Sequence, residues 1–225
     1  MKLTAQLIAE TALDLLDEVG LDGLTMRALA GRLDVKAPAL YWHVKNKREL
    51  LDTMAEHVFA EAVEGLEAPR RGTTWEEWLA ALVGRLRGAM LRRRDGAKVL
   101  AGTFVSNDSL WRTMELTLRM MIDAGFDDRS AIRAATILMH YTIGYVIEEQ
   151  SRMGADYASN PYVDGRLDEA VDADRFPLTA AASAELAAAD ADGEFDHGIA
   201  VILAGIRAST SGPGPRHSGS GRAAG

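Results

Sequence analysis

Residues 25–48, TMRALAGRLDVKAPALYWHVKNKR, constrain the fold more than any other stretch. Read as helices, Met26, Leu29, Ala30 and Leu33 form one inward stripe, and Leu40 and Val44 share a second. Between them Asp34 stands where the chain must turn sharply, and aspartate tolerates a left-handed conformation better than most residues. Val35 is placed to plug the core beneath that turn. Pro38 suits a first helical turn, where its missing N–H needs no partner. The spacing therefore predicts two short helices around a tight turn, with Thr25 capping the first. The segment holds six Lys/Arg and one acid, whereas residues 1–64 hold seven basic and eleven acidic residues. Cations gathered on one such unit point to a helix-turn-helix that meets DNA. A solvated charged face is the other meaning of such a run.

The whole chain carries a net charge of −8 with a pI near 5.2. That argues against a general cationic coat and leaves local phosphate contact open. The absence of cysteine excludes disulfides, a thiol nucleophile and thiolate metal sites. The start, MKLTAQLIAE, lacks the apolar core of a signal peptide. No uncharged apolar run approaches the roughly 20 residues that span a bilayer. The expectation is a cytoplasmic protein.

Helical periodicity runs through the rest. The first helix is predicted over about Thr4–Val19, with Leu3, Leu7, Ile8, Ala12, Leu15, Leu16 and Val19 inward and Gly20 as its stop. The third is short, Pro38 to about Val44; Tyr41 and Trp42 beside it are either outward or partly core. Asn46 and Glu49 form a capping-box pattern for a helix to about Glu64. EAPRRGTT, 67–74, reads as a linker, and Thr74 with Glu77 repeats the capping pattern for a helix ending near Arg92–Arg94. Those arginines suit a helix C-terminus and could also brace the linker or touch DNA. A short helix at Asp95–Ala101 precedes one over Ser109–Ala124, with Leu110, Trp111, Met114, Leu118, Met121 and Ile122 inward. Asp127 or Asp128 caps a helix to about Arg152 that from Ala131 to Ile147 is apolar or small nearly all round, so one of its sides could face a partner subunit. Residues 154–177 read as a long loop, Thr179–Asp190 and Glu194–Ala208 as helices, and 209–225 as a disordered Gly/Ser/Pro tail. No strand alternation appears. The fold class is all-α, with a head over 1–66 and a body over 67–208.

LDGLTMRALAGRLDVKAPALYWHVKNKRELLD closely resembles the N-terminal domain of the tetracycline-repressor (TetR) family of one-component transcriptional regulators. LYWHVKNKRELL carries the most specific part of the likeness and points to the tetracycline-repressor branch. The resemblance continues through RRRDGAKVLAGT, HYTIGYVIEEQ and FDHGIAVILAGI, covers most of residues 3–207, and is weakest over 154–177. It implies a homodimer that reads a palindromic operator in double-stranded DNA and releases it on binding a small-molecule effector. On the matching positions it implies DNA contacts from Thr25, Arg27, Lys36, Ala37, Pro38, Ala39, Tyr41, His43 and Lys47. Arg27 is the candidate for a bidentate contact to guanine, and Thr25, Tyr41, His43 and Lys47 for phosphate contacts. Ala37 and Ala39 have no hydrogen-bonding side chain, so methyl contact with thymine is what they can offer.

The resemblance also implies a drug chelated to a divalent metal, and here the chain departs from the pattern. The metal-holding histidine is matched by Leu100. The other polar contacts are matched by Val63, Leu82 and Leu116. Thr103 persists, but Phe104 and Val105 replace an arginine and a proline; His140 and Glu148 survive. Hydrocarbon side chains cannot ligate a hard cation. The expected pocket therefore takes an apolar or aromatic effector, without metal or cofactor, among Val63, Leu82, Leu86, Leu100, Thr103, Phe104, Leu116, Ile132 and Glu148. Plain core packing is the other meaning of such stripes, and His140 with Glu148 reads as a polar pair near the dimer interface, or else as half a metal site. No nucleophile elbow, phosphate-cradling glycine loop or HExxH points to an enzyme. A constitutive or activating regulator whose body only dimerises is the alternative within the regulator class.

Overall fold

Side-chain caps set most helix starts. In the computed structural model, which describes residues 3–153, 167–186 and 190–210, the helices are α1 (Ala5–Gly23), α2 (Met26–Arg32), α3 (Ala37–Tyr41), α4 (Lys47–Val63), α5 (Trp75–Leu91) and α6 (Gly96–Leu100). They continue as α7 (Asp108–Asp123), α8 (Asp128–Met153), α9 (Leu167–Ala170), α10 (Pro177–Ala181), α11 (Ser183–Leu186) and α12 (Ala191–Thr210), with no strand among the described residues. Thr4, Thr25, Asn46, Thr74 and Asn107 each accept a backbone N–H three residues on. Such caps contribute about 1 kcal/mol apiece. Of the expected 154–177 loop, 154–166 lie outside the described residues, while 167–177 is not all loop but holds α9 and the first residue of α10; of the expected 209–225 tail, 211–225 lie outside them and 209–210 end α12.

Several expectations need correction. Gly20 does not stop α1; it bends it, at φ 71°, and the last turn resumes to Gly23. Glycine adopts that conformation without a Cβ clash. Val19, expected inward, is half-exposed beside the bend. The Glu49 carboxylate accepts the Lys45 N–H, so the reciprocal bond of the capping box is shifted one residue from Asn46. Trp42 is 89% exposed and takes no part in the core. On α7 the buried residues are Thr113, Thr117 and Met121, while Trp111, Met114 and Ile122 stay substantially exposed. The threonines tolerate burial because their polar atoms are satisfied: Thr113 Oγ1 donates to Ser109 O, and Trp78 Nε1 donates to Thr117 Oγ1. Two short helices, α10 and α11, replace the single helix expected from Thr179.

Two apolar clusters make the core. The first joins α1–α4 to the C-terminal half of α5, to α6 and to Val146 of α8. The second joins the N-terminal half of α5 to α7, α8 and α12. Polar ties fix the joint between α1, α4 and the α5–α6 corner. Arg93 reaches Asp14 (3.4 Å), Asp17 (3.2 Å) and Glu61 (3.3 Å). The arginines after α5 thus brace neighbouring helices. Asp95, at φ 55°, accepts the Leu21 N–H at 2.9 Å. Burial opposes its charge, but Lys98 and that N–H outweigh the effect and hold its carboxyl below the usual range. Gln150 of α8 donates to Met90 O and Arg93 O and accepts from Ala97 N. Deeper in the body, Arg87 joins Glu149 of α8 (2.7 Å) and Asp192 of α12 (2.6 Å), beneath the rings of Tyr145 and Phe195.

Gly96 lets α6 close against the end of α5, because a Cβ there would stand 2.2 Å from Met90 O. Gly96→Ala is therefore expected to destabilise the protein by about 1–3 kcal/mol. Urea denaturation followed by circular dichroism checks this as a lowered midpoint.

Candidate nucleic-acid interface and cavity

The turn between α2 and α3 forms as its residue types require. Asp34 takes φ 53°, and the Val35 N–H bonds Ala30 O at 3.0 Å. Leu40 and Val44 are buried and seat α3 on the core. That leaves Pro38, Ala39, Tyr41, Trp42 and His43 exposed, with Ala37 half-buried. Trp42 follows Leu40 by two residues and precedes Val44 by two, about 200° from the buried stripe on a helix. That spacing was the signal that it faces outward.

The six cations of the segment divide into two groups. Arg32 pairs with Glu18, whose carboxyl it holds below the usual range by hydrogen bonding. Lys47 Nζ donates to Leu21 O at 2.9 Å, and Arg48 donates to Gly102 O and lies 3.7 Å from Asp52. These three therefore also anchor the unit. Arg27, Lys36 and Lys45 are exposed, and no carboxylate among the described residues lies within ion-pair distance of them. The exposed Thr25 hydroxyl accepts the Ala28 N–H and keeps its own proton for an outside acceptor. The surface thus combines free cations, small polar donors and an apolar tip.

A cavity of about 210 Å³ lies among α4, α5, α7 and α8. Its wall takes in Val63, Leu82, Leu86 and Ile132 from the expected set. Leu100, Thr103, Phe104, Leu116 and Glu148 do not line it. Leu100 is packed in the first core, and Thr103 Oγ1 donates to Leu100 O. Phe104 is 68% exposed, because Asp52 and Glu56 hold the backbone N–H groups of Phe104 and Ser106. Leu116 packs against the second core, and Glu148, like His140, is exposed on α8. The residues missed include Phe59, Ala62, Val83, Met114 and Met139, whose apolar spacing is the same for a wall as for a core.

Thr113, Thr117 and Thr136 supply the polar side chains of this wall, and two of their hydroxyls already donate to their own helix. Among the described residues, no carboxylate or imidazole lines the cavity. A hard divalent cation wants several oxygen ligands, so this donor set does not fit a metal-chelated drug. A separate polar groove, lined by His57, Glu61, Glu64, Asp108 and Arg112, meets the cavity at Val63.

Comparison with known proteins places both regions. Residues 8–54 match the family model of bacterial regulatory proteins, tetR family, and residues 68–210 match the tetracyclin repressor-like C-terminal domain. The chain is 38% identical over 205 residues, 91% of each chain, to the tetracycline repressor protein class A from transposon 1721 of Escherichia coli. A possible TetR family transcriptional regulator from Streptomyces coelicolor A3(2) superposes with a TM-score of 0.80 at 37% identity, covering 92% of this chain and all of that one. The ActR protein of Streptomyces coelicolor in complex with actinorhodin gives 0.78 at 30% identity, covering 92% and 96%.

Replacements at two of the exposed cations should separate base contact from phosphate contact. Arg27→Ala is expected to relax base preference at one position per half-site, by about 1–3 kcal/mol. Lys45→Ala should weaken all DNA sequences alike and lower the salt slope by about 1. Fluorescence anisotropy on operator variants across a salt series distinguishes them; an equal loss of sequence preference in both variants would contradict the division.

Proposed function

The chain belongs to the tetracycline-repressor (TetR) family of transcriptional regulators, and from that membership we propose a repressor released by a largely apolar or aromatic effector. It is a ligand-responsive DNA-binding regulator. As a homodimer it sets one head (residues 1–66) of each subunit in the major groove of a palindromic operator. The body (67–208) supplies the dimer contact and the effector site. No helix among the described residues is long and apolar enough to cross a membrane.

The observation that carries the effector class is the cavity wall: aliphatic, aromatic and methionine side chains with threonines and, among the described residues, no charge. Such a wall binds by apolar burial, at roughly 25 cal/mol per Å². At about 210 Å³ the space is below the roughly 300–1,000 Å³ of drug-sized sites. A drug-sized effector therefore enters only as the walls part. Phe59, Ala62 and Val63 of that wall belong to α4, the helix that also carries the head. Parting the wall moves α4, and an effector that favours the moved state disfavours DNA by the same factor that DNA disfavours it. An antibiotic or other drug-like molecule fits this description, in keeping with the actinorhodin-bound relative. The alternative, a body that only dimerises, leaves a cavity against α4 without a use.

Isothermal titration tests the effector class. Tetracycline with magnesium is expected to bind no more tightly than without it, while a planar polycyclic aromatic compound binds without metal and lowers operator affinity. Tight, magnesium-dependent tetracycline binding would refute the reading.

A further inference from the structure

We propose that the effector carries a neutral carbonyl oxygen on its ring system and that the Thr117 hydroxyl donates a hydrogen bond to it. The inference rests on the effector reading above and adds which polar group that molecule must present. Thr113, Thr117 and Thr136 line the cavity, and their hydroxyls are spent differently. Thr113 Oγ1 donates to Ser109 O at 2.7 Å and Thr136 Oγ1 to Ile132 O at 2.8 Å, each bonding back by one helical turn. Thr117 makes no such bond. Its Oγ1 accepts the Trp78 Nε1 proton at 3.0 Å, and among the described residues nothing accepts the proton of its own hydroxyl.

Thr117 is 3% exposed. A buried hydroxyl is a donor as well as an acceptor, and leaving either side unmade is costly. Trp78, buried on α5, fixes the oxygen, while the hydroxyl proton turns about the Cβ–Oγ1 bond. The open space that Thr117 lines is the cavity, so a ligand oxygen there supplies the missing acceptor. That oxygen is neutral, because no cation among the described residues lines the cavity and an ionised carboxylate would be buried uncompensated. A carbonyl fits better than a hydroxyl: it brings two lone pairs and no further proton to satisfy within an apolar wall. A mostly apolar pocket with a placed donor orients its ligand and discriminates against the hydrocarbon that lacks the acceptor.

The test uses the full chain with anthracene and anthraquinone, planar molecules of one ring outline that differ in their carbonyl oxygens. Binding of each is followed by quenching of tryptophan fluorescence. The preference for anthraquinone over anthracene is expected to fall about fivefold in Thr117→Val, the size of one neutral hydrogen bond. Thr117→Ser keeps the hydroxyl and should keep the preference. Because Thr117→Val also leaves the Trp78 N–H without its acceptor, the pair Trp78→Phe with Thr117→Val removes both partners and repeats the measurement in a core with no orphaned N–H. The infrared C=O stretch of bound anthraquinone should lie lower in the unaltered protein than in either valine variant. A preference and a C=O stretch that loss of the hydroxyl leaves unchanged overturn the proposal. Binding of neither compound overturns the effector reading with it, which tells the two failures apart.

Discussion

Burial along α4 is the interaction on which the other parts depend. Leu50, Met54, Ala55 and Val58 are completely buried, and they pack one helix against α1, α5 and α6 at once. Seventeen residues span about 25 Å, enough to begin shortly after α3, tied to the end of α1, and to end in the cavity wall. Polar groups fasten both ends. At the start, Lys47 holds Leu21 O and Asn46 caps the first turn. At the finish, Arg85 donates to Ala62 O at 2.7 Å and to Glu64 O. Along its side, Asp52 and Glu56 take the backbone N–H groups of the segment leading to α7. Many of these ties run to backbone atoms, so they fix where α4 lies more firmly than hydrophobic packing alone could.

The cavity sits where the two apolar clusters meet. Phe59, Ala62, Val63 and Leu86 come to it from the cluster that includes the head, and Leu79, Val83 and Leu138 from the cluster of the body. Packed clusters resist deformation but can shift against one another at a seam. Filling the seam is thus a direct way for a molecule with no charge to act on the head, and it needs no polar relay. The Arg87 ion pairs lie on the body side, where they hold α5, α8 and α12 together as one unit.

The helices were legible in the sequence because caps and glycines are local chemistry. Thr25, Asn46 and Thr74 do what their spacing implies, and Gly125 follows α7 at φ 94°. The all-α fold and the helix-turn-helix followed from periodicity and from Pro38. Which residues line the cavity was less legible. Val63, Leu82, Leu86 and Ile132 lie in its wall, but an aliphatic residue facing a void and one facing a neighbour have the same spacing. Leu116 and Phe104 miss it for reasons of rotation and of long-range bonding to Asp52 that no local pattern carries. The buried Thr117 of α7 depends on a partner 39 residues away, Trp78. Trp42 was legible from its offset to Leu40 and Val44, yet its hydrophobicity argued the other way.

The central claim is that occupation of the seam reaches the operator surface through α4. Ala135 lines the cavity from α8, an element outside the head, so Ala135→Phe fills the space without altering any residue of the operator surface. Operator affinity of this variant, measured beside its melting temperature, tests the claim most directly. At least a tenfold loss of operator affinity is expected in a protein that still folds, a coupling of about 1.4 kcal/mol. A folded Ala135→Phe protein that binds its operator as tightly as the unaltered chain would contradict it.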